Sequence, residues 1–324
     1  MAEVQIHSRR KRIVDEVLNL VWIIVISAFF TFMFVGLAIF SWRNVKRSLK
    51  PNTVTLEREI ESNKKRGFWM DFDSYNKVEY EIKGKNGYIL HAMFVDNEEV
   101  RGTGKYVILC HGHTNNRYGS VKYVHCFMKL GYSCIIYDAR HHGLNEPDIC
   151  TMGNIESDDL KCVIEDTRAR YPDIKVLGLH GESMGSSTSL SVTRYNPEID
   201  FIVADCGFTR CYDVVKDGYG NLHMAFVAPP INLAGIILYH VDMRKTCAIK
   251  HLENNKYPIL FIHGSGDKLV KPYHSQKLYD VARKNGAYCE LVYVEGAGHA
   301  RSRAVAGFET YTGYIRDFLE HIKL

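Results

Sequence analysis

The stretch LGLHGESMGSSTSL, residues 177–190, sets Ser183 between Gly181 and Gly185, each two positions away, with small hydroxyl residues following. A serine hydroxyl is a poor nucleophile at neutral pH. It attacks an acyl carbon when a base lies within hydrogen-bond reach, an acid orients that base, and N–H groups face the developing oxyanion. Glycines on both sides let the backbone turn sharply without Cβ clashes. A helix starting behind the serine would favour negative charge at its N-terminus. Glycine and serine are common, so the five-residue pattern alone also describes a structural turn. Its context here is an apolar run, KVLGLH, in front and a helix-like run behind, the strand–turn–helix setting of a nucleophile elbow.

The chain has fifteen histidines, so the base must be chosen by position. His299, in VEGAGHA, follows the last expected strand, in a loop of the kind where open α/β sheets place their sites. His111, His113, His141, His142, His180 and His263 also border expected strands, but each sits beside a structural glycine or at a strand end. For the acid, Asp267 follows the seventh expected strand in LFIHGSGDKLV. Asp205, in IVADCGFT after the sixth, competes with it; its other reading is a loop-capping carboxylate. The oxyanion donors are expected to be the backbone N–H of Met184, just after the nucleophile, and that of His113 in LCHGHTNN, where Gly112 permits close backbone approach. This chemistry requires no metal and no organic cofactor. The nine cysteines form no CxxC pair and no Cys/His cluster with zinc spacing.

These residues need a scaffold. Short apolar runs at 78–83, 88–95, 106–110, 133–137, 175–179, 201–204, 259–262 and 290–294 read as strands, the first two joined by the hairpin signal GKNG. Helical stretches at 120–130, 155–170, 186–195, 273–285 and 304–322 alternate with the later strands. Such alternation predicts right-handed crossovers and an eight-stranded, mostly parallel sheet covered on both faces by helices. Residues 207–256 interrupt the alternation between the sixth and seventh strands and read as an inserted helical cap. Its segment MAFVAPPINLAGIILYHV has apolar residues for an acyl pocket or a membrane surface, although packing on the sheet is the expected role of most of them.

Ahead of this domain, residues 17–42 carry no charge and are long enough to span a bilayer as a helix. Basic residues flank the run on both sides, and Trp22 and Trp42 lie near its ends. The run is too long for a signal-peptide core, and no A-x-A-like site follows it. The expected organisation is a basic tail at 1–16, a single-pass membrane helix at 17–42, a polar juxtamembrane linker at 43–70 and one α/β domain at 71–324. Basic residues nearly balance across the span, so charge does not fix which side of the cell membrane the domain faces. The basic N-terminus favours export, whereas cysteines buried in apolar runs, such as Cys110, Cys134 and Cys206, favour a reducing compartment. The net charge of +4 is small, and no basic–aromatic stripe points to nucleic acid. Oligomeric state leaves no trace in the sequence.

Taken in order, HGHTNN, YDARHHG, HGESMG, HGSGDKLV and GAGHA resemble the signature pieces of the alpha/beta hydrolase superfamily, from about residue 78 to the C-terminus. The similarity is greatest to bacterial membrane-anchored members with a short cap, of the prolyl-oligopeptidase-like and dienelactone-hydrolase-like groups. The resemblance implies the alpha/beta-hydrolase fold and the triad order Ser183, Asp267, His299. In YDARHHGLNEP, His141 stands where the family usually has glycine and Asn145 where it has serine; that loop is generally structural. The expected activity is cleavage of a carboxylic ester, from a small-molecule or lipid-like substrate, through an acyl-enzyme. A thioesterase or S-acyl-protein deacylase, or a peptidase, would use the same residues. A non-catalytic binding protein on this fold is the reading from another class.

Overall fold

The computed structural model describes residues 2–220 and 222–324. Eight strands form a single sheet: β1 (Asn76–Lys83), β2 (Ile89–Asp96), β3 (Lys105–Cys110), β4 (Ser133–Tyr137), β5 (Val176–Glu182), β6 (Phe201–Asp205), β7 (Ile259–Gly264) and β8 (Cys289–Val294). Their spatial order is β1-β2-β4-β3-β5-β6-β7-β8. β1 and β2 form an antiparallel hairpin, and β2 runs antiparallel to β4. Every later pairing is parallel.

The helices are α1 (Ala2–Leu49), α2 (Leu56–Lys65), α3 (Val121–Lys129), α4 (Ile155–Arg170), α5 (Met184–Ser191), α6 (Cys211–Gly220), α7 (Ala228–Tyr239), α8 (Ala248–His251), α9 (Tyr273–Lys284), α10 (Ser302–Ala306) and α11 (Phe308–His321). The continuous helix expected at 304–322 is therefore two helices. Gly307, at φ +82, breaks them apart, a backbone angle that no regular helix holds.

Side-chain alternation along the strands divides the core. In β3, Val107 and Leu109 face one layer with Phe127, Phe201, Ile315 and Phe318. Ile108 and Cys110 face the other with Leu160, Leu179, Phe261 and Leu278. A strand buried on both faces must be apolar at every position, and YVILC in β3 is.

A third apolar cluster lies outside the sheet. Val45 and Leu49 of α1 are fully buried there against Phe208, Val227, Ile231 and Met243 of the 207–256 insert. This corrects the expectation that most apolar cap residues rest on the sheet: α7 lies along α1 instead. It also redraws the linker. α1 does not end at residue 42 but runs to Leu49, and the tail before residue 17 is helical from Ala2. Residues 43–70 contribute buried side chains, among them Val45, Leu49, Asn63 and Phe72's neighbour Trp69. The stretch Gln5–Leu49 is long and apolar enough to cross a membrane, and its most apolar window is unburied.

The turn after β4 is held in part by a buried ion pair. Asp138 accepts hydrogen bonds from Arg117 Nη1 at 2.7 Å, from the Arg117 backbone N–H at 2.7 Å and from the Leu144 N–H at 3.1 Å. Both side chains are essentially inaccessible to water. His141 adopts φ +71 in this loop, which explains why glycine is the family's usual residue there. Asp138→Ala would leave the Arg117 cation buried with only Glu79 beside it. The expected cost is about 3–5 kcal/mol, read as a lowered guanidinium midpoint of the detergent-solubilised protein. Arg117→Met with Asp138→Leu should recover only part of that loss, because the Arg117 and Leu144 N–H groups still lack their acceptor.

Candidate active site

β5 ends at Glu182 and α5 begins at Met184, leaving Ser183 alone on the turn at φ +54, ψ −110. A non-glycine residue at positive φ is strained by roughly 1–3 kcal/mol, so its surroundings must hold it. They do so through close backbone contact. A Cβ on Gly185 would lie 2.0 Å from the Cys110 carbonyl oxygen, and one on Gly181 would lie 2.3 Å from the Gly185 oxygen. Only glycine lets β3, β5 and α5 approach this closely. The Ser183 N–H donates to the Asp205 carbonyl at 2.9 Å, and the Ser183 carbonyl accepts from the Ser187 N–H at 3.0 Å.

The structure brings Ser183, His299 and Asp267 together. Ser183 Oγ lies 2.9 Å from His299 Nε2, and His299 Nδ1 lies 2.7 Å from Asp267 Oδ2. With Nδ1–H donating to the carboxylate, Nε2 is free to accept the hydroxyl proton. Asp267 is itself fixed: its Oδ1 accepts from the Leu269 and Val270 N–H groups, each at 2.9 Å. His263 Nε2 also lies 3.3 Å from its Oδ2, a contact that the position of His263 at a strand end does not signal. Burial works to raise the Asp267 pKa, but hydrogen bonds from His263 and His299 and the charge on His299 outweigh it. The carboxyl is held well below the usual carboxylate range.

Asp205 is placed elsewhere. Its carboxylate accepts from Ser302 Oγ and Tyr311 OH, each at 2.9 Å, with Tyr123 OH at 3.4 Å. It lies in a buried polar network with Glu182, which is ion-paired to Lys122 and hydrogen-bonded to Tyr123. Burial, then the neighbouring Glu182 charge, push Asp205 up to about 6. Its geometry is that of a support beneath the serine turn, not of a partner for His299.

Of the two expected oxyanion donors, Met184 directly follows Ser183 and His113 follows Gly112, which lies against it. Met184 is the first residue of α5, where a helix leaves its N–H groups without intrahelical partners. Gly112 lies against Ser183, its Cβ position 3.8 Å from the serine Cβ. The next N–H, His113's, has no acceptor among the described residues, whereas the Thr114 N–H is taken by His142 Nε2. The His113 ring is tied to α1, its Nε2–H donating to the Ser48 carbonyl at 3.0 Å. Burial pushes the His113 pKa down.

A cavity of about 580 Å³ opens onto Ser183 and His299. Phe208, Val215 and Ile231 of the cap line it, together with Asn44 and Ser48 of α1. Nothing in the residue pattern marked Asn44 or Ser48 as pocket residues. Across Gly112 and His299 lies a second, more polar cavity of about 530 Å³, walled by Glu59, Arg66 and Lys122.

A sheet of this order carrying a serine elbow, a histidine loop and an acid loop defines an alpha/beta hydrolase. A model of the prolyl oligopeptidase family matches residues 150–322, more than half of the chain, and the chain belongs to that family. It is a hydrolase of the peptidase and esterase type. It is 28% identical over 259 residues to the uncharacterised Bacillus subtilis protein YqkD, covering 78% of this chain and 82% of that one. It is 26% identical over 249 residues to human protein ABHD12B, covering 72% of this chain and 63% of that one. Among solved structures, the Pyrococcus furiosus esterase Pf2001 superposes with a TM-score of 0.65 at 24% identity, over 78% of this chain and 94% of that chain. The Pyrococcus horikoshii acylaminoacyl peptidase does so with a TM-score of 0.60 at 15% identity, over 76% of this chain and 41% of that one. These two likenesses show the fold.

The raised pKa of Asp205 sets a pH signature. In the unfolded chain this carboxyl ionises near ~4. In the fold it keeps its proton until about 6. Between these values the native state binds the extra proton, so stability falls as pH rises through that window, by on the order of 3 kcal/mol. Asp205→Asn keeps the bulk without the titration, and denaturation midpoints measured from pH 4 to 7 should lose that slope.

Proposed function

We propose that this chain is a membrane-anchored serine hydrolase that cleaves carboxylic esters through an acyl-enzyme. The observation that carries the reading is the unbroken hydrogen-bonded line Ser183–His299–Asp267 at the mouth of the apolar cavity. α1 is the anchor, and the cap and the end of α1 wall the acyl site.

In the first half-reaction Ser183 Oγ bonds to the acyl carbon while His299 Nε2 takes the hydroxyl proton. Asp267 holds the imidazole with Nε2 facing the serine and stabilises the imidazolium that forms. The Met184 and His113 N–H groups donate to the oxyanion. Collapse breaks the bond from the acyl carbon to the alkoxy oxygen, and the proton on Nε2 goes to the leaving alcohol. Water then gives a proton to His299 and attacks the acyl carbon. The acyl–Oγ bond breaks, the acid leaves, and Ser183 recovers its proton. The sum is ester plus water giving acid plus alcohol.

An ester is favoured over a peptide by the walls of the cavity, which are mainly aliphatic and aromatic side chains. The test is a matched panel: a p-nitrophenyl acyl ester, the corresponding acyl thioester and an aminoacyl p-nitroanilide. The ester should turn over fastest. A faster anilide would make the chain a peptidase, and no turnover of any of the three would support a binding protein. Ser183→Ala and His299→Ala should each lower kcat by on the order of 10⁴-fold or more, and Asp267→Asn by roughly 10³–10⁴-fold. Circular dichroism should show all three variants folded.

A further inference from the structure

The cap helix α7 has two faces with different surroundings. Ile231, on one, is buried and lines the Ser183 cavity. Phe226 just before the helix, and Leu233, Ile237 and Leu238 on the other face, are half or more exposed. No charged residue occurs from 218 to 241. So large an apolar surface on a cap is unfavourable in water and needs a cover.

Its position relative to α1 identifies the cover. Across an apolar groove of about 270 Å³, Leu233 and Ile237 of α7 face Phe34, Leu37 and Ala38 of α1. A span of about 20 residues placed anywhere within the uncharged run 17–42 contains Phe34. The end of the groove at Phe34 therefore lies at hydrocarbon depth wherever α1 crosses the bilayer, while Gly235 and Tyr239 of α7 lie beside Val45, Leu49 and Lys50, past Trp42. Further along α1, Asn44 and Ser48 line the Ser183 cavity. Ser48 is six residues past Trp42, a rise of about 9 Å, so the cavity sits just above the headgroup level.

We infer that α7 is immersed in the leaflet beside α1 and separates the lipid from the catalytic cavity, so that the substrate is an acyl ester resident in the same bilayer whose chain enters past α7. This rests on the esterase reading above and on α1 as a membrane span. It assigns the substrate class: a long-chain lipid ester presented by the membrane, rather than an ester dissolved in water.

The experiment uses full-length protein in phosphatidylcholine nanodiscs, with p-nitrophenyl butyrate in the water and p-nitrophenyl palmitate dissolved in the bilayer. Leu233→Asp with Ile237→Asp alters only the outward face of α7. This variant should keep butyrate turnover within about twofold and lose palmitate turnover by about tenfold or more. Equal losses on both esters, or no loss on either, would overturn the inference. Insertion is read separately. With Trp22→Phe and Trp42→Phe removing the α1 reporters, a Leu233→Trp variant should be quenched by brominated phosphatidylcholine. An unquenched tryptophan would mean that water or a protein covers α7, and would overturn it as well. Absent butyrate turnover in the unmodified protein would overturn the catalytic reading and with it the substrate assignment, while the quenching arm would still report where α7 lies.

Discussion

The backbone of Ser183 stands at a conformation that a side-chain-bearing residue avoids, and the rest of the molecule is arranged so that it stays there. The strain is on the order of 1–3 kcal/mol. It is held by the meeting of Gly181, Gly185 and the Cys110 carbonyl, where three backbones come too close for any Cβ. That meeting exists because β3 and β5 are parallel neighbours in register, Cys110 opposite Gly181. The same register aims Ser183 Oγ out of the sheet's C-terminal edge, toward the loops after β7 and β8 that carry Asp267 and His299. Beneath the turn, Asp205 on β6 holds the Ser183 N–H with its carbonyl and ties Ser302 and Tyr311 with its carboxylate. Asp205, nearest Ser183 in space, is thus bonded to Ser302 and Tyr311, while Asp267, one strand further out, is the carboxylate bonded to His299.

Much of this was legible in the sequence because it is local. Strands such as YVILC are apolar at every position, and the glycine spacing around Ser183 reports a backbone constraint directly. The choice between Asp267 and Asp205 was not local. Both follow a parallel strand, and only the placement of the His299 loop over β7 separates them. The supporting histidine His263 was hidden for a similar reason, since its contact with Asp267 depends on how the HGSGD turn curls back on itself. The left-handed conformation of His141 was foreshadowed only by the family's glycine at that position.

What the sequence did not disclose is the union of α1, the cap and the loop after β3. Residues 43–70 read as a polar linker. In the structure, His113 donates to the Ser48 carbonyl, His141 Nε2 to the Pro51 carbonyl, and the Cys150 N–H to the Leu49 carbonyl. The end of α1 is thus hydrogen-bonded into the loops that surround the nucleophile. Val45 and Leu49 are buried by cap residues about 180 positions away in the chain. No periodicity within either segment predicts that pairing, because an apolar cap face fits the sheet, the membrane or another helix equally well. A domain hung on a flexible tether would be free to turn its active site in any direction. Here the hydrogen bonds at the end of α1 fix the cavity's orientation relative to that helix.

On the reading proposed above, the residue forced into the turn is the one that reacts. Fluorophosphonate treatment of the purified full-length protein, followed by intact mass and peptide mapping, tests it most directly. One phosphonyl group per chain, located on Ser183 and absent when His299 is replaced by alanine, is the expected result. A folded protein that stays unmodified, or an adduct on any other residue, would contradict it.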